Sequence, residues 1–101
     1  MATGSTIHIQ FFGSIRDAAA KVCDDMDLAA GTSVSALMQM LPAHYAPALR
    51  DELLDDSVPD GLRDDLMVTV NQAIVNHGQA GETILQPGDT VALFQTFPGG
   101  G

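Results

Sequence analysis

The sequence predicts an α+β fold, in which a mixed sheet of four to five strands packs on one main helix in a single domain, residues 1–101. The chain has 101 residues, of which 46% are hydrophobic, enough apolar material for one packed domain but too short a chain for two. Apolar residues alternate with period two near both ends of the chain, and between these segments they recur at helical spacing. A sheet must bury one face, and the predicted helix is available to cover it.

The first strand is predicted at residues 6–12, where apolar and polar residues alternate. The apolar face holds Ile7, Ile9 and Phe11, and the polar face holds His8 and Gln10. Residues 13–14 (Gly-Ser) indicate a turn. A second strand, antiparallel to the first, is predicted at residues 22–28, with Val22, Met26 and Leu28 in phase.

The main helix is predicted from residue 34, with residues 32–33 (Thr-Ser) as the candidate N-cap and Pro42 as its end. Its apolar residues recur at helical spacing and are Val34, Leu37, Met38 and Leu41. The acidic segment 43–65 is predicted to be irregular, apart from a short second helix at residues 47–54 with Pro47 in its first turn.

Three further strands are predicted in the last third of the chain, at residues 66–70, 73–75 and 90–96. Residues 71–72 (Asn-Gln) turn or kink the chain between the first two, and residues 86–89 (Gln-Pro-Gly-Asp) are a strong turn signal. Strands in this order around one helix predict the β-grasp, or ubiquitin-like, arrangement.

Composition limits the classes of partner. Thirteen acidic residues against four basic ones give a net charge of −9, which disfavours nucleic acid and anionic membranes and is consistent with a partner carrying a basic surface or with solubility alone. No apolar run approaches a membrane span, and no secretory signal precedes the first strand, so we expect a cytoplasmic protein. The single cysteine, Cys23, is expected to be a half-buried strand residue.

No metal site or enzyme active site is predicted. The three histidines are scattered and lack metal-ligand spacing, so each is expected at the surface. The acidic loop around Gly61 fails as a calcium loop, because Val58 and Met67 occupy two of the ligand positions.

The C-terminal residues are the most informative feature. Residues 97–101 (Phe-Pro-Gly-Gly-Gly) follow the last strand and are predicted to form a flexible tail. Glycines have a wide φ/ψ range and no side chain, so such a tail can enter a narrow channel in another enzyme, although a frayed terminus is the simpler alternative.

Two aromatic residues are predicted on the solvent face of the sheet. The period-two rule places Phe12 opposite the apolar face of the first strand, and Phe94 opposite Val91 and Leu93 of the last. Together they predict an interaction patch, unless segment 43–65 covers this face.

Two blocks of sequence resemble the MoaD/ThiS family of ubiquitin-like sulfur carriers. Residues 7–16 (IHIQFFGSIR) are similar to its opening strand, and residues 68–72 (VTVNQ) with 85–94 (LQPGDTVALF) are similar to its later strands. The glycine tail completes the likeness, which is closer to the MoaD branch, the small subunit of molybdopterin synthase, than to the shorter ThiS branch.

The resemblance implies a carrier without its own catalysis or bound cofactor. A ubiquitin-activating-type adenylyltransferase would adenylate the terminal glycine, and a persulfide sulfur would replace AMP to leave a thiocarboxylate for a sulfur-accepting synthase subunit. Gly101 would be the carrier residue and Gly100 and Gly99 the access tail, or Gly100 the carrier if the additional glycine is trimmed. Phe12, Ile74 and Phe94 would form the surface that docks the partner.

Three functions are consistent with this likeness. The first is a sulfur carrier, for molybdopterin or for thiamine, cysteine or a secondary metabolite. The second is a ubiquitin-like modifier whose tail joins to lysines of target proteins. The third is a binding module with an inert tail.

Overall fold

A computed structural model describes residues 4–57, 61–63 and 65–95, and these form the predicted α+β fold. Along the chain the strands are β1 (Gly4–Phe11), β2 (Cys23–Ala29), β3 (Leu66–Val70), β4 (Ala73–Val75) and β5 (Thr90–Gln95). The helices are α1 (Gly13–Ala19), α2 (Val34–His44) and α3 (Ala48–Leu53), and a 3₁₀ turn spans His77–Gln79.

The five strands form one mixed sheet in the order β2-β1-β5-β3-β4. Strands β1 and β5 are parallel, and every other neighbouring pair is antiparallel. Strand β5 therefore lies in the middle of the sheet although it comes last in the chain. The predicted antiparallel pairing of the first two strands is confirmed.

The core lies between one face of the sheet and the helices. Ile7, Ile9 and Phe11 of β1 are fully buried, as their alternation predicted, and so are Val91 and Leu93 of β5. Helix α2 contributes the four residues predicted at helical spacing, and α1 and α3 add further buried residues: Val34, Leu37, Met38 and Leu41, then Ile15, Leu49 and Leu53.

Three local predictions need correction. The turn predicted at residues 13–14 is the start of α1, because Gly13 (φ +60°) redirects the chain directly into a helix whose Ile15 and Ala19 face the core. Helix α2 does not end at Pro42 but continues to His44: proline removes only the bond to the carbonyl four residues earlier, and the Tyr45 N–H still donates to the Leu41 carbonyl at 2.9 Å.

The third correction concerns β2. Val22 is 64% exposed and precedes the strand, so it is not part of the buried face that Met26 and Leu28 form. Cys23 lies in the strand as expected, but it is exposed and not half-buried. Cys23 pairs with Gln10, so its side chain lies on the sheet face away from the core.

The described part of segment 43–65, residues 43–57, 61–63 and 65, is more ordered than the sequence indicated. Its helix α3 begins after Pro47 and packs two buried leucines into the core. Arg63 donates from Nη1 to the Asp51 carbonyl at 2.7 Å and from Nη2 to Asp65 Oδ2 at 2.8 Å, which ties the segment back to α3. Helix α3 and the Arg63 side chain bonded to it therefore belong to the helical layer.

Tyr45 connects the end of α2 to the edge strand β2. Its ring packs edge-on against Phe11, and its hydroxyl donates to Asp24 Oδ2 at 2.8 Å. This hydrogen bond is the main reason that the pKa of Asp24 is lowered from 3.8, while burial and then the Asp24 carboxylate raise the pKa of Tyr45. Tyr45 therefore keeps its proton and continues to donate.

Candidate functional site: the outer face of the sheet and the end of β5

The candidate site is the sheet face away from the helices, which we call the outer face. Directly paired residues share a face, so one row crosses all five strands through Cys23, Gln10, Ala92, Thr69 and Ile74. Helix α3 of segment 43–65 does not cover this face, because it packs in the core on the opposite side.

Phe12 and Phe94 stack beside the last residues of β5. Their ring centroids are 4.5 Å apart with an interplanar angle of 10°. Phe12 is 40% exposed and Phe94 is half-buried, which confirms that both lie outside the core. We call this stacked pair the aromatic ledge.

Ile74 lies on the same face but apart from the ledge. It is 65% exposed on β4, two strands from Phe94, which corresponds to roughly 10 Å across the sheet at about 4.8 Å per strand. The structure thus brings together two of the three predicted docking residues and places the third near the edge of the same face.

A shallow depression of about 610 Å³ lies beside the ledge. Its lining combines the Phe94 ring with hydroxyl and amide side chains, and consists of Gln10, Thr69, Asn71, Gln72, Thr90, Ala92 and Phe94. Ala92 is nearly buried among longer neighbours in its row, so the depression is open where a larger side chain would fill it. No sequence pattern indicated this depression, because it depends on pairings between distant strands.

A tight hairpin forms one rim of the depression. Val70 pairs with Ala73, which leaves a two-residue loop, and both loop residues have positive φ: Asn71 at +52° and Gln72 at +74°. Two such residues define a type I′ turn, in which asparagine is common and glycine is preferred at the second position. Gln72 therefore holds a strained backbone conformation at the lip of the depression.

Asn71 joins this hairpin to the start of β5. Its Nδ2 donates to Asp89 Oδ1 at 2.9 Å, and the Thr90 N–H donates to Asn71 Oδ1 at 3.0 Å. The Asn71 N–H also donates to the Thr90 carbonyl at 2.8 Å. These bonds give a physical role to the Val-Asn-Gln block noted in the sequence.

Charge is unevenly distributed over the outer face. Three aspartates lie at the end of the face far from the ledge: Asp25 contacts His8, Asp27 accepts from Thr6 at 2.6 Å, and Asp89 accepts from Asn71. The face thus has an apolar end and an acidic end.

A cluster of three polar side chains lies at the point where β5 ends. Glu52 Oε1 of α3 accepts from the Ser14 hydroxyl at 2.6 Å and from Gln95 Nε2 at 2.8 Å. Ser14 of α1 also contacts Gln95 Oε1, so its one hydroxyl proton is shared between two acceptors. We call Ser14, Glu52 and Gln95 the tail-root cluster; no sequence pattern indicated that they would meet.

The remaining sequence predictions concern the glycine tail, metal binding and the membrane. Gly99, Gly100 and Gly101 lie outside the described residues. Within residues 4–57, 61–63 and 65–95, His, Cys, Asp and Glu side chains form no group of three or more that could hold a metal ion. In the same ranges, none of the helices has the length and apolar character needed to cross a bilayer.

The sheet order, the helices on one face and the open face opposite define a ubiquitin-like β-grasp protein. The model of the ThiS family matches residues 9–100, so the chain belongs to the ThiS family, whose members are ubiquitin-like sulfur carriers and modifiers. No curated protein sequence matches the chain significantly.

Solved structures share this fold. The fold is similar to that of small archaeal modifier protein 1 from H. volcanii, with a TM-score of 0.78 and 23% identity over 93% of this chain and 100% of that one. Urm1 from Trypanosoma brucei is 27% identical, with a TM-score of 0.72 and coverage of 98% and 99%. A Pyrococcus furiosus protein assigned as subunit 1 of molybdopterin converting factor is 18% identical, with a TM-score of 0.69 and coverage of 92% and 99%.

Proposed function

We propose that this chain is a sulfur carrier protein whose C-terminal glycine is converted to a thiocarboxylate, for delivery to a synthase of molybdopterin biosynthesis. The observation that carries the proposal is the position of the aromatic ledge. The ledge lies where β5 ends, and six residues follow Gln95, so a partner bound there is within about 20 Å of the terminal carboxylate.

The chemistry needs a partner because a carboxylate is a poor electrophile. An adenylyltransferase of the ubiquitin-activating type would join the carboxylate of Gly101, or of Gly100 after trimming, to AMP from ATP and release pyrophosphate. A persulfide sulfur of the donor would then displace AMP, and a thiol would cleave the resulting S–S bond to leave the thiocarboxylate. The carrier supplies the acyl group and the docking surface, and the partners supply catalysis in the cytoplasm, where ATP is available.

The outer face is suited to such partners. The ledge and Ile74 offer apolar contacts, and the aspartates at the other end of the face, with the net charge of −9, favour a partner with basic residues at a matching distance. Complementary charges of this kind mainly raise the association rate and fix the orientation of the complex.

Intact mass measurement tests the function directly. The purified chain is incubated with the ubiquitin-activating-type adenylyltransferase of the same organism, ATP and sulfide. We expect a product in which one oxygen is replaced by sulfur, and no product from a variant lacking residues 100–101. An unmodified mass for the full chain, under conditions in which the enzyme releases pyrophosphate with another carrier, would contradict the proposal.

A ubiquitin-like modifier is the second candidate function. It is favoured by the similarity to the archaeal modifier protein, whose name states that role. Here the activated glycine would form an isopeptide bond with a lysine of a target protein. Tail-to-lysine conjugates in the native host would support this function, and they would be absent when residues 100–101 are deleted.

A further inference from the structure

The tail-root cluster lies at the end of β5, where that strand has a pairing partner on one side only. The pairing of β1 with β5 ends at Phe11 and Leu93, because β1 leaves the sheet at Phe12 and the chain enters α1. The pairing of β3 with β5 continues to Leu66 and Gln95. The last two residues of β5 are therefore paired with β3 alone.

Side chains take the place of the missing strand. Gln95 shares the inner face with its partner Leu66, so its side chain points toward the helices. There the Gln95 amide donates to Glu52 Oε1 at 2.8 Å and contacts the Ser14 hydroxyl. Residues from α1 and α3 thus hold the end of β5 on the side that β1 has left.

We propose that Glu52 is a positioning residue for the tail, which fixes the residue at which the tail leaves the sheet. The inference rests on the proposed function. If β5 frayed by one residue, the free tail would be about 3.3 Å longer. The last residue still held in the strand would then present its side chain on the opposite face of the sheet. A terminal carbonyl offset by that distance leaves the reactive geometry even when the ledge is correctly docked.

A glutamate suits this position chemically. One carboxylate oxygen accepts from both the Ser14 hydroxyl and the Gln95 amide, and bonds to an ionised acceptor are stronger than neutral ones. Glutamine at position 52 retains an acceptor oxygen at the same place without the charge. Alanine removes both bonds and leaves the apolar packing of α3, through Leu49 and Leu53, in place.

The test compares Glu52→Ala with Glu52→Gln in the mass-based sulfur-loading assay, with Glu82→Ala as the matched control, since Glu82 is an exposed glutamate outside this cluster. With Glu52→Ala as its substrate, the adenylyltransferase should have a kcat that is lower by roughly tenfold or more than with the wild-type carrier. Its KM for the carrier should stay within about twofold, because docking uses the ledge. Glu52→Gln should recover most of kcat, and Glu82→Ala should match the wild type.

Hydrogen exchange at the Phe94 amide, which lies on the side of β5 that faces β3, gives a second readout that does not depend on the activity. Faster exchange at Phe94 in Glu52→Ala, with unchanged exchange at Ala92, is the expected pattern. If Glu52→Ala unfolds, Ser14→Ala removes a smaller part of the same cluster and should show both effects more weakly.

Two results would overturn the inference: a Glu52→Ala variant with wild-type kcat and exchange, or one in which KM alone rises. Failure of the wild-type chain to load sulfur would instead count against the proposed function. The exchange experiment would then still decide whether Glu52 holds the end of β5.

Discussion

At the scale of single residues, Gln72 has a strained backbone conformation that lowers the stability of the fold. A residue with a Cβ loses about 1 kcal/mol or more in the left-handed region, and the type I′ turn places Gln72 there at φ +74°. Its side chain lines the depression on the outer face, which is where strained residues with functional roles are found.

Replacing Gln72 with glycine should stabilise the protein by up to about 1 kcal/mol, because glycine adopts this conformation without a steric penalty. Urea unfolding at neutral pH measures the change. Gln86→Gly is the control, since Gln86 is exposed but does not have a positive φ, and it should not be stabilising. Equal effects of the two substitutions would contradict the strain argument.

Tyr45 and Asp24 make the stability depend on acid pH. The Tyr45 hydroxyl stabilises the ionised carboxylate, so the pKa of Asp24 in the folded state lies below 3.8. A lowered pKa adds stability at pH values above the unfolded pKa, and this contribution is lost as the pH falls through the lowered folded pKa.

A Tyr45→Phe variant should therefore be less stable than the wild type at pH 6, and the difference should shrink as the pH is lowered below about 3.8. Urea midpoints measured between pH 2 and 7 test this. Asp24→Asn is the matched variant, and its urea midpoint should depend on pH as weakly as that of Tyr45→Phe. A constant difference between Tyr45→Phe and the wild type across this range would show that the hydroxyl acts through packing alone.

At the scale of elements, the strands were predictable because each carries its own alternation. The buried side of β1 and β5, and the outward positions of Phe12 and Phe94, follow from period two alone. Helix α1 was not predicted, because it begins at a glycine and glycine is typical of turns. The four-residue spacing of Ile15 and Ala19 did indicate a helix.

The aromatic ledge is formed by elements that are adjacent only in the folded sheet, and its role can be tested by one substitution. Phe12→Ala should raise the KM for the activating enzyme roughly tenfold and leave kcat nearly unchanged, since an exposed aromatic contributes to docking and little to the core. Loading rates across a range of carrier concentrations provide the measurement.

Ile84→Ala is the control for the ledge, because Ile84 is exposed to a similar extent, 42% against 40%, and pairs with Ser33 at the start of α2, away from the ledge. An equal rise in KM for both variants would indicate general loss of apolar surface and not docking at the ledge.

At the scale of the whole molecule, the fold class could be predicted and the tail-root cluster could not. Strand and helix patterns are local, and their order limits the topology. The meeting of Glu52 with Gln95 joins residues 43 positions apart and depends on where β1 leaves the sheet. The depression arises in the same way, from rows that cross distant strands.

The central position of β5 has a consequence for quality control in the cell. The pairs β2–β1 and β3–β4 belong to one sheet only when β5 has inserted between them, and the same insertion brings Phe94 beside Phe12. An incomplete or misfolded chain therefore has no stacked ledge. Under the proposed function, the adenylyltransferase would bind only molecules that have finished folding. It would therefore not consume ATP in adenylating defective carriers.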